Sequence, residues 1–264
     1  MIIDCHQHLP SLEKTRTLEK SKEELLEELR RSRVDYAILI PDNTPKSEIG
    51  SLDEVLQLVK GNRQLYVMGT LDIQKRNYLE QTQKLDQLFQ AGSIVAIKIF
   101  PGHDTIYPTD KRLLPAYELC IKHDLPIVIH TGASLKHPEQ AKYNDPKFII
   151  KIADKFPALK IVIAHYFYPR VECCYKLTKA YKNIYFDTSG LADEEVIANT
   201  GLAKIKKVLL LTTSERPNNI IFGTDYPMCS IRKHVELIES LEMERQTKDK
   251  IFSENAIKLF HLKL

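Results

Sequence analysis

The strongest constraint on the fold is an alternation repeated along the chain. Eight short apolar runs, at 2–6, 34–40, 65–71, 94–100, 126–130, 160–165, 183–187 and 219–223, are separated by longer charged stretches. Those stretches carry apolar residues at helical spacing, and helices are expected over 21–33, 52–61, 77–90, 111–123, 145–156, 171–181, 193–211 and 232–241. Two short helices, over 245–252 and 254–260, are expected to close the chain. The first helix is expected to start at Ser21, with Glu24 in capping-box position. Several apolar runs, such as Ile127-Val128-Ile129 and Ile161-Val162-Ile163, are continuous rather than alternating. Strands covered on both faces by parallel neighbours and helices read this way.

Eight strand–helix units in 264 residues sit close to the roughly 250 residues usual for a (β/α)8 barrel. A doubly wound sheet is the rival. It would not bring the ends of the first, fifth, sixth and eighth strands around one point, whereas a barrel does. The expected class is therefore α/β: one domain over 1–264, a (β/α)8 TIM barrel with a C-terminal helical extension. Loops 41–51 and 101–110 are rich in Pro and Gly and follow strands two and four, so they are expected at the substrate mouth.

The polar residues ending these strands point to chemistry. The chain opens Met1-Ile2-Ile3-Asp4-Cys5-His6-Gln7-His8. Side chains alternate along a strand, so His6 and His8 share a side. His130 ends strand five, His165 ends strand six, and Asp225 follows strand eight. Any one of these histidines alone is more often a hydrogen-bonded core or loop residue, and Asp225 alone could cap the last helix. Together, four imidazoles and a carboxylate at one end of a barrel describe a catalytic metal site with an open position. His123, His137, His234 and His261 lack a strand-end context and read as ordinary surface residues, while His103 is a weaker substrate-contact candidate.

Composition removes other classes. With 38 basic and 35 acidic residues the net charge is only +3, which leaves no electrostatic footprint for nucleic acid or an anionic membrane. No apolar run approaches a membrane span, and no basic-then-apolar segment at the N-terminus reads as a signal peptide. A cytoplasmic protein acting on a small molecule is expected. The five cysteines are odd in number and form no Cys-x-x-Cys, so free thiols in a reducing compartment are expected. Cys5 and Cys229 lie beside candidate site residues, where either could be oxidised.

Asp4-x-His6-x-His8, the histidines ending strands five and six, and Gly223-Thr224-Asp225-Tyr226-Pro227 after strand eight together resemble the amidohydrolase superfamily. More narrowly they resemble its amidohydrolase-related group of TIM-barrel metal-dependent hydrolases, which also includes nonoxidative decarboxylases and a lactonase. Asp187-Thr188-Ser189-Gly190 and the closing Asn255-Ala256-Ile257-Lys258-Leu259-Phe260 resemble the same group. The resemblance implies that His6, His8, His130 and Asp225 hold one divalent metal ion, zinc first and manganese second. It places His165 beside the metal, against the substrate's reacting oxygen. A metal ion brings a bound water's pKa towards about 7; Asp225 can take that water's proton and His165 can stabilise developing charge.

Lys98 lies inside an apolar strand, where an unpaired charge is costly. It could bind a substrate carboxylate, pair with a buried acid, or, carboxylated on its amine, bridge two metals as in other amidohydrolase subgroups; only the last would bring a second metal. Glutamate here is typical of the related deoxyribonucleases, so its absence argues against nuclease activity. Arg170 or Arg232 could fork onto a substrate carboxylate, and Tyr226 is a further substrate-contact candidate. Asp4 could orient a ligand histidine or merely bond backbone. The leading expectation is a metal-dependent hydrolase cleaving an ester, lactone or amide bond in a small carboxylated molecule. The alternative is a nonoxidative decarboxylase of an aromatic or unsaturated acid on the same site. A remoter one is a non-catalytic ligand-binding barrel. Homodimers are common among such barrels, but no apolar stripe marks an interface here.

Overall fold

A computed structural model describes residues 1–11, 17–44, 47–132 and 138–264. Its strands are β1 (Ile3–Gln7), β2 (Tyr36–Leu39), β3 (Leu65–Val67), β4 (Gly69–Thr70), β5 (Ile97–Ile99), β6 (Ile127–Ile129), β7 (Ile161–Ile163), β8 (Ile184–Asp187) and β9 (Ile220–Ile221). All pair in parallel. The order runs β1-β2-β3 and then β4 through β9. β3 and β4 form one strand interrupted at Met68: the Met68 N–H donates back to Leu39 O, and the Gly69 N–H donates onward to Ala96 O. The ring closes between β9 and β1, where Cys5 N–H donates to Phe222 O at 2.9 Å and His8 N–H to Tyr226 O at 2.7 Å. The expected (β/α)8 barrel is therefore the observed fold.

The helices are α1 (Leu18–Ser32), α2 (Leu52–Val59), α3 (Tyr78–Gln90), α4 (Leu114–Lys122), α5 (Pro146–Lys155), α6 (Val171–Thr178), α7 (Glu194–Thr200), α8 (Leu202–Glu215), α9 (Ile231–Glu239), α10 (Arg245–Asp249) and α11 (Asn255–Phe260). Two helix expectations are corrected. α1 starts at Leu18, capped by Thr17, whose Oγ1 accepts from Lys20 N–H at 3.2 Å. The Ser21 hydroxyl instead donates to Pro10 O at 2.7 Å, a longer-range bond that a local capping pattern does not reveal. The stretch 193–211 is two helices, because Gly201 (φ 90°) breaks it.

The apolar residues sort into two layers. Ile127, Ile129, Ile161 and Ile163 pack outwards with helix residues such as Leu25, Leu29, Ile149, Ile152 and Leu209. Ile38, Ile40, Val128, Val162 and Ile221 form an inner cluster, joined by Ala256, Leu259 and Phe260 of α11. Lys98 is in register with Val128, and Val128 with Val162, so Lys98 belongs to the inner row. β1 departs from simple alternation, because a bulge falls between Asp4 and Gln7. Ile3 and Cys5 stay in the inner cluster, yet His6 and His8 line the cavity above it. The extra residue resets the phase and re-aims the side chains that follow.

Candidate metal centre

The strand ends converge on a cavity of about 390 Å³ lined by His6, His8, Lys98, His130, His165 and Asp225. Within it, Asp225 Oδ1 lies 3.5 Å from His6 Nε2 and 3.5 Å from His8 Nε2. Three donors held about 2.1 Å from one tetrahedral ion would be separated by about 3.4 Å, so these three residues fit a single divalent cation. Both imidazoles present Nε2 because Nδ1 is committed elsewhere. His6 Nδ1 is 2.7 Å from Asp187 Oδ2, and His8 Nδ1 is 2.8 Å from Ile40 O. These acceptors fix the tautomer with the proton on Nδ1 and direct the Nε2 lone pair of each ring towards Asp225 Oδ1 and the cavity.

His6, His165 and Asp187 form a second close group, but its distances are those of hydrogen bonds. Ser189 Oγ lies 2.5 Å from Asp187 Oδ1, 2.8 Å from His165 Nδ1 and 3.2 Å from His6 Nδ1. Asp187 Oδ1 also accepts the His165 N–H at 2.8 Å. Asp187 and Ser189 thus brace both histidines. Asp4, by contrast, touches neither imidazole. Its carboxylate accepts from Gln7 Nε2 and Thr224 Oγ1, each at 2.6 Å, and from the His6 and Thr224 backbone N–H groups. It ties β1 to the loop after β9, which is the backbone-bonding role.

Charge in the site is arranged by burial against pairing. Burial would raise Asp187, but the hydrogen bond from His6 Nδ1–H and the nearby Lys98 charge hold its carboxyl well below the usual range. Burial likewise works against the Asp225 carboxylate, yet the surrounding His165, His8 and His6 groups bring it well below the usual range. Burial and the Lys98 charge press His6 down to about 3, so its imidazole is neutral. Burial lowers Lys98 to about 8, with Asp187 and Asp225 pulling it back up. Anionic carboxylates and neutral imidazoles are the states a cation needs.

The other expected residues divide. His130 Nδ1 lies 3.2 Å from His165 Nε2, and both rings face the cavity, but His130 is outside the close three-donor set among the described residues. His103 lines the same wall, its ring 4.3 Å from that of His130. Asn43 and Ile49 from the first mouth loop and His103 from the second reach the cavity, and Asn43 Nδ2 bonds Asp104 across them at 2.9 Å. Arg170 is exposed and faces Asp145 at 3.8 Å, and Arg232 pairs with Glu236 on the surface. Neither they nor Tyr226 lines the cavity. His234 is not a surface residue: it is fully buried, with Nδ1 on Ser230 O and Nε2 accepting from Ala192 N–H. His137 lies outside the described residues. The five cysteines are free thiols. Asp187 was missed as an orienting group, although an acid ending an apolar run is the same signal that marked Asp225.

The chain belongs to the amidohydrolase family, whose sequence profile matches residues 79–262. Among curated proteins none matches. Solved structures share the barrel over nearly the whole chain. A TIM-barrel protein from Bordetella bronchiseptica superposes with TM-score 0.79 at 21% identity, covering 99% of this chain and 98% of its own. A dihydroxybenzoic acid decarboxylase from Polaromonas, solved with manganese and the inhibitor 2-nitroresorcinol, gives TM-score 0.71 at 15% identity, covering 99% and 97%. An amidohydrolase from Burkholderia multivorans, solved with zinc, gives 0.68 at 15%, covering all of both chains. At these identities the likeness establishes the fold.

Proposed function

We propose that this chain is a metal-dependent nonoxidative decarboxylase of a small aromatic carboxylic acid. The observation that carries the reading is the three-donor set His6, His8 and Asp225 at the floor of a cavity walled by Phe100, Tyr168, Ile49 and Met228. That cavity, about 390 Å³, suits one substituted ring. Similarity to the manganese-bound decarboxylase supports this chemistry over the hydrolysis expected from sequence. His6, His8 and Asp225 would hold the ion, with His130 on the cavity wall as a fourth ligand. A divalent ion there would supply Lewis acidity, drawing electron density from a substrate oxygen. The reading takes 1–264 as one catalytic domain working in the cytoplasm. Among the described residues no helix is long and apolar enough to cross a membrane.

The chain's own residues then have these tasks. Lys98 faces the substrate carboxylate, and Phe100 and Tyr168 flank the ring and exclude water. The bond between ring carbon and carboxylate carbon breaks, carbon dioxide leaves, and the electron pair stays on the ring carbon, which takes up a proton. The His165–His130 pair, 3.2 Å apart, is placed to deliver that proton. Both imidazoles are pressed down by burial, and an arriving carboxylate raises their proton affinity. Asp225, held ionised, acts as ligand rather than acid.

Hydrolysis remains the second reading, favoured by the Asp225 carboxylate, which as a member of the donor set could also take the proton of an attacking water. One experiment separates the two. Protein loaded with manganese or with zinc is given hydroxylated benzoic acids and, separately, aryl esters and lactones, in deuterium oxide. Carbon dioxide release with one deuterium at the vacated ring carbon is expected. Ester or lactone cleavage without gas release would reverse the assignment.

A further inference from the structure

Lys98 is completely buried beside the donor set. Its Nζ lies 3.3 Å from His6 Nε2. The other nitrogen of that ring is committed to Asp187 at 2.7 Å and carries the proton, so Nε2 is an acceptor and Lys98 is the donor. The lone pair that Lys98 engages is the one a metal ion requires. Among the described residues no carboxylate pairs directly with Nζ; Asp187 and Asp225 act on it through longer-range charge. An ion about 2.1 Å from Nε2 would occupy the same edge of the imidazole as Nζ, two cations directed at one lone pair.

We propose that Lys98 Nζ and the divalent ion compete for His6 Nε2, so that Lys98 sets how tightly the site holds its metal. The proposal rests on the metal reading above. Without an ion, Asp187 and Asp225 outweigh Lys98 by one negative charge, and the ammonium satisfies a site otherwise left strongly anionic. A divalent ion turns the balance to one positive charge and forces Nζ to swing off His6. A substrate carboxylate then cancels that charge, with the displaced Nζ free to meet it. Lys98 thus acts as the occupant of the ion-free site and as a positioning cation in the loaded one.

The test measures metal affinity, not turnover. Ion-free wild type, Lys98→Met and Lys98→Gln are titrated with Mn²⁺, and separately with Zn²⁺, against a competing chelator. Circular dichroism melts of the ion-free proteins establish that each is folded. Met removes the donor and leaves an unbranched apolar chain one atom shorter than Lys; Gln, of the same reach as Met, is a second, polar replacement without the charge. Losing a hydrogen bond from a charged donor should tighten ion binding by about ten- to a hundred-fold in both variants. Equal or weaker binding by the folded variants, with wild type still binding one ion, overturns the competition and leaves the metal site standing. No ion bound by any of the three proteins overturns both.

Discussion

His234 is expected to make the fold acid-sensitive, and the size of the effect follows from its surroundings. The ring is buried in α9. Nδ1 is 2.8 Å from Ser230 O and donates to it, while Nε2 accepts from the Ala192 N–H at 3.2 Å. Protonation would set an Nε2–H against that amide donor. Burial pushes the group from the ordinary 6.5 down to about 4, overcoming the Ser230 bond and the carboxylates of Asp225, Asp193 and Asp187. The unfolded chain therefore takes up a proton near pH 6.5, whereas the folded chain resists until about pH 4. Stability is full above pH 6.5 and is lost as pH falls through that window, by about 3 kcal/mol in total. His234→Gln can keep an acceptor towards Ala192 and loses the Ser230 bond, costing about 1 kcal/mol at neutral pH. Urea unfolding of chelator-treated protein, followed by circular dichroism from pH 7.5 to 4.5, should show the two curves crossing. Wild type leads at pH 7.5, and the variant leads at pH 4.5, where wild type has lost about 2–3 kcal/mol from this residue. Parallel curves would refute the argument.

Three other substitutions probe the site. Asp187→Asn turns an oxygen facing His6 Nδ1 into an amide donor and favours the wrong tautomer; metal affinity measured by chelator competition should fall about 10- to 100-fold, and unchanged affinity would remove Asp187 as the orienting group. Gly223→Ala would place a Cβ 3.0 Å from His6 Cβ and 3.4 Å from Asp187 Cβ; overpacking of about 1–3 kcal/mol should appear in urea unfolding together with weaker metal binding. Arg170→Ala, exposed and outside the cavity lining, should leave metal affinity and KM for any substrate within about two-fold, because exposed ion pairs contribute little.

The barrel was legible because its signal is repeated and local: each apolar run needs only its own residues to read as a covered strand. The candidate site was legible where a polar residue ends such a run, as at His6, His130, His165 and Asp225. What orients those residues was not. The partner of His6 is Asp187, 181 positions away, whereas the nearby Asp4 drew attention by proximity and proved to bond Thr224 and Gln7. His8 is oriented by a backbone carbonyl, Ile40 O, which carries no signature in any sequence. The bulge after Asp4 also escaped, since alternation counted from Ile3 assumes an unbroken register. His234 misled for a related reason: its helix position is local, but its burial comes from packing against the loop before α7.

Backbone strain gives an independent pointer to the same residues. Seven non-glycine residues among those described have positive φ: Arg33, Asp124, His165, Tyr166, Phe167, Asp225 and His261. Arg33 and His261 are helix C-caps and Asp124 follows the end of α4, positions where left-handed backbone is ordinary. The remaining four lie at the ends of β7 and β9, in the cavity wall or directly behind it. Such residues cost of order 1–3 kcal/mol each and persist only when their surroundings over-determine them. Here the surroundings are on view. The Asp187 carboxylate accepts the His165 N–H at 2.8 Å, Thr131 Oγ1 accepts the Phe167 N–H at 3.0 Å, and His6 O accepts the Asp225 N–H at 2.8 Å. Each clamp comes from a neighbouring strand end, so the barrel's parallel register is what holds His165 and Asp225 in conformations neither would adopt alone. The same Asp187 braces His6 and the His165 backbone. A change at that one carboxylate should therefore disturb metal affinity and the position of His165 together, whereas a change at Thr131 should move His165 and spare the metal.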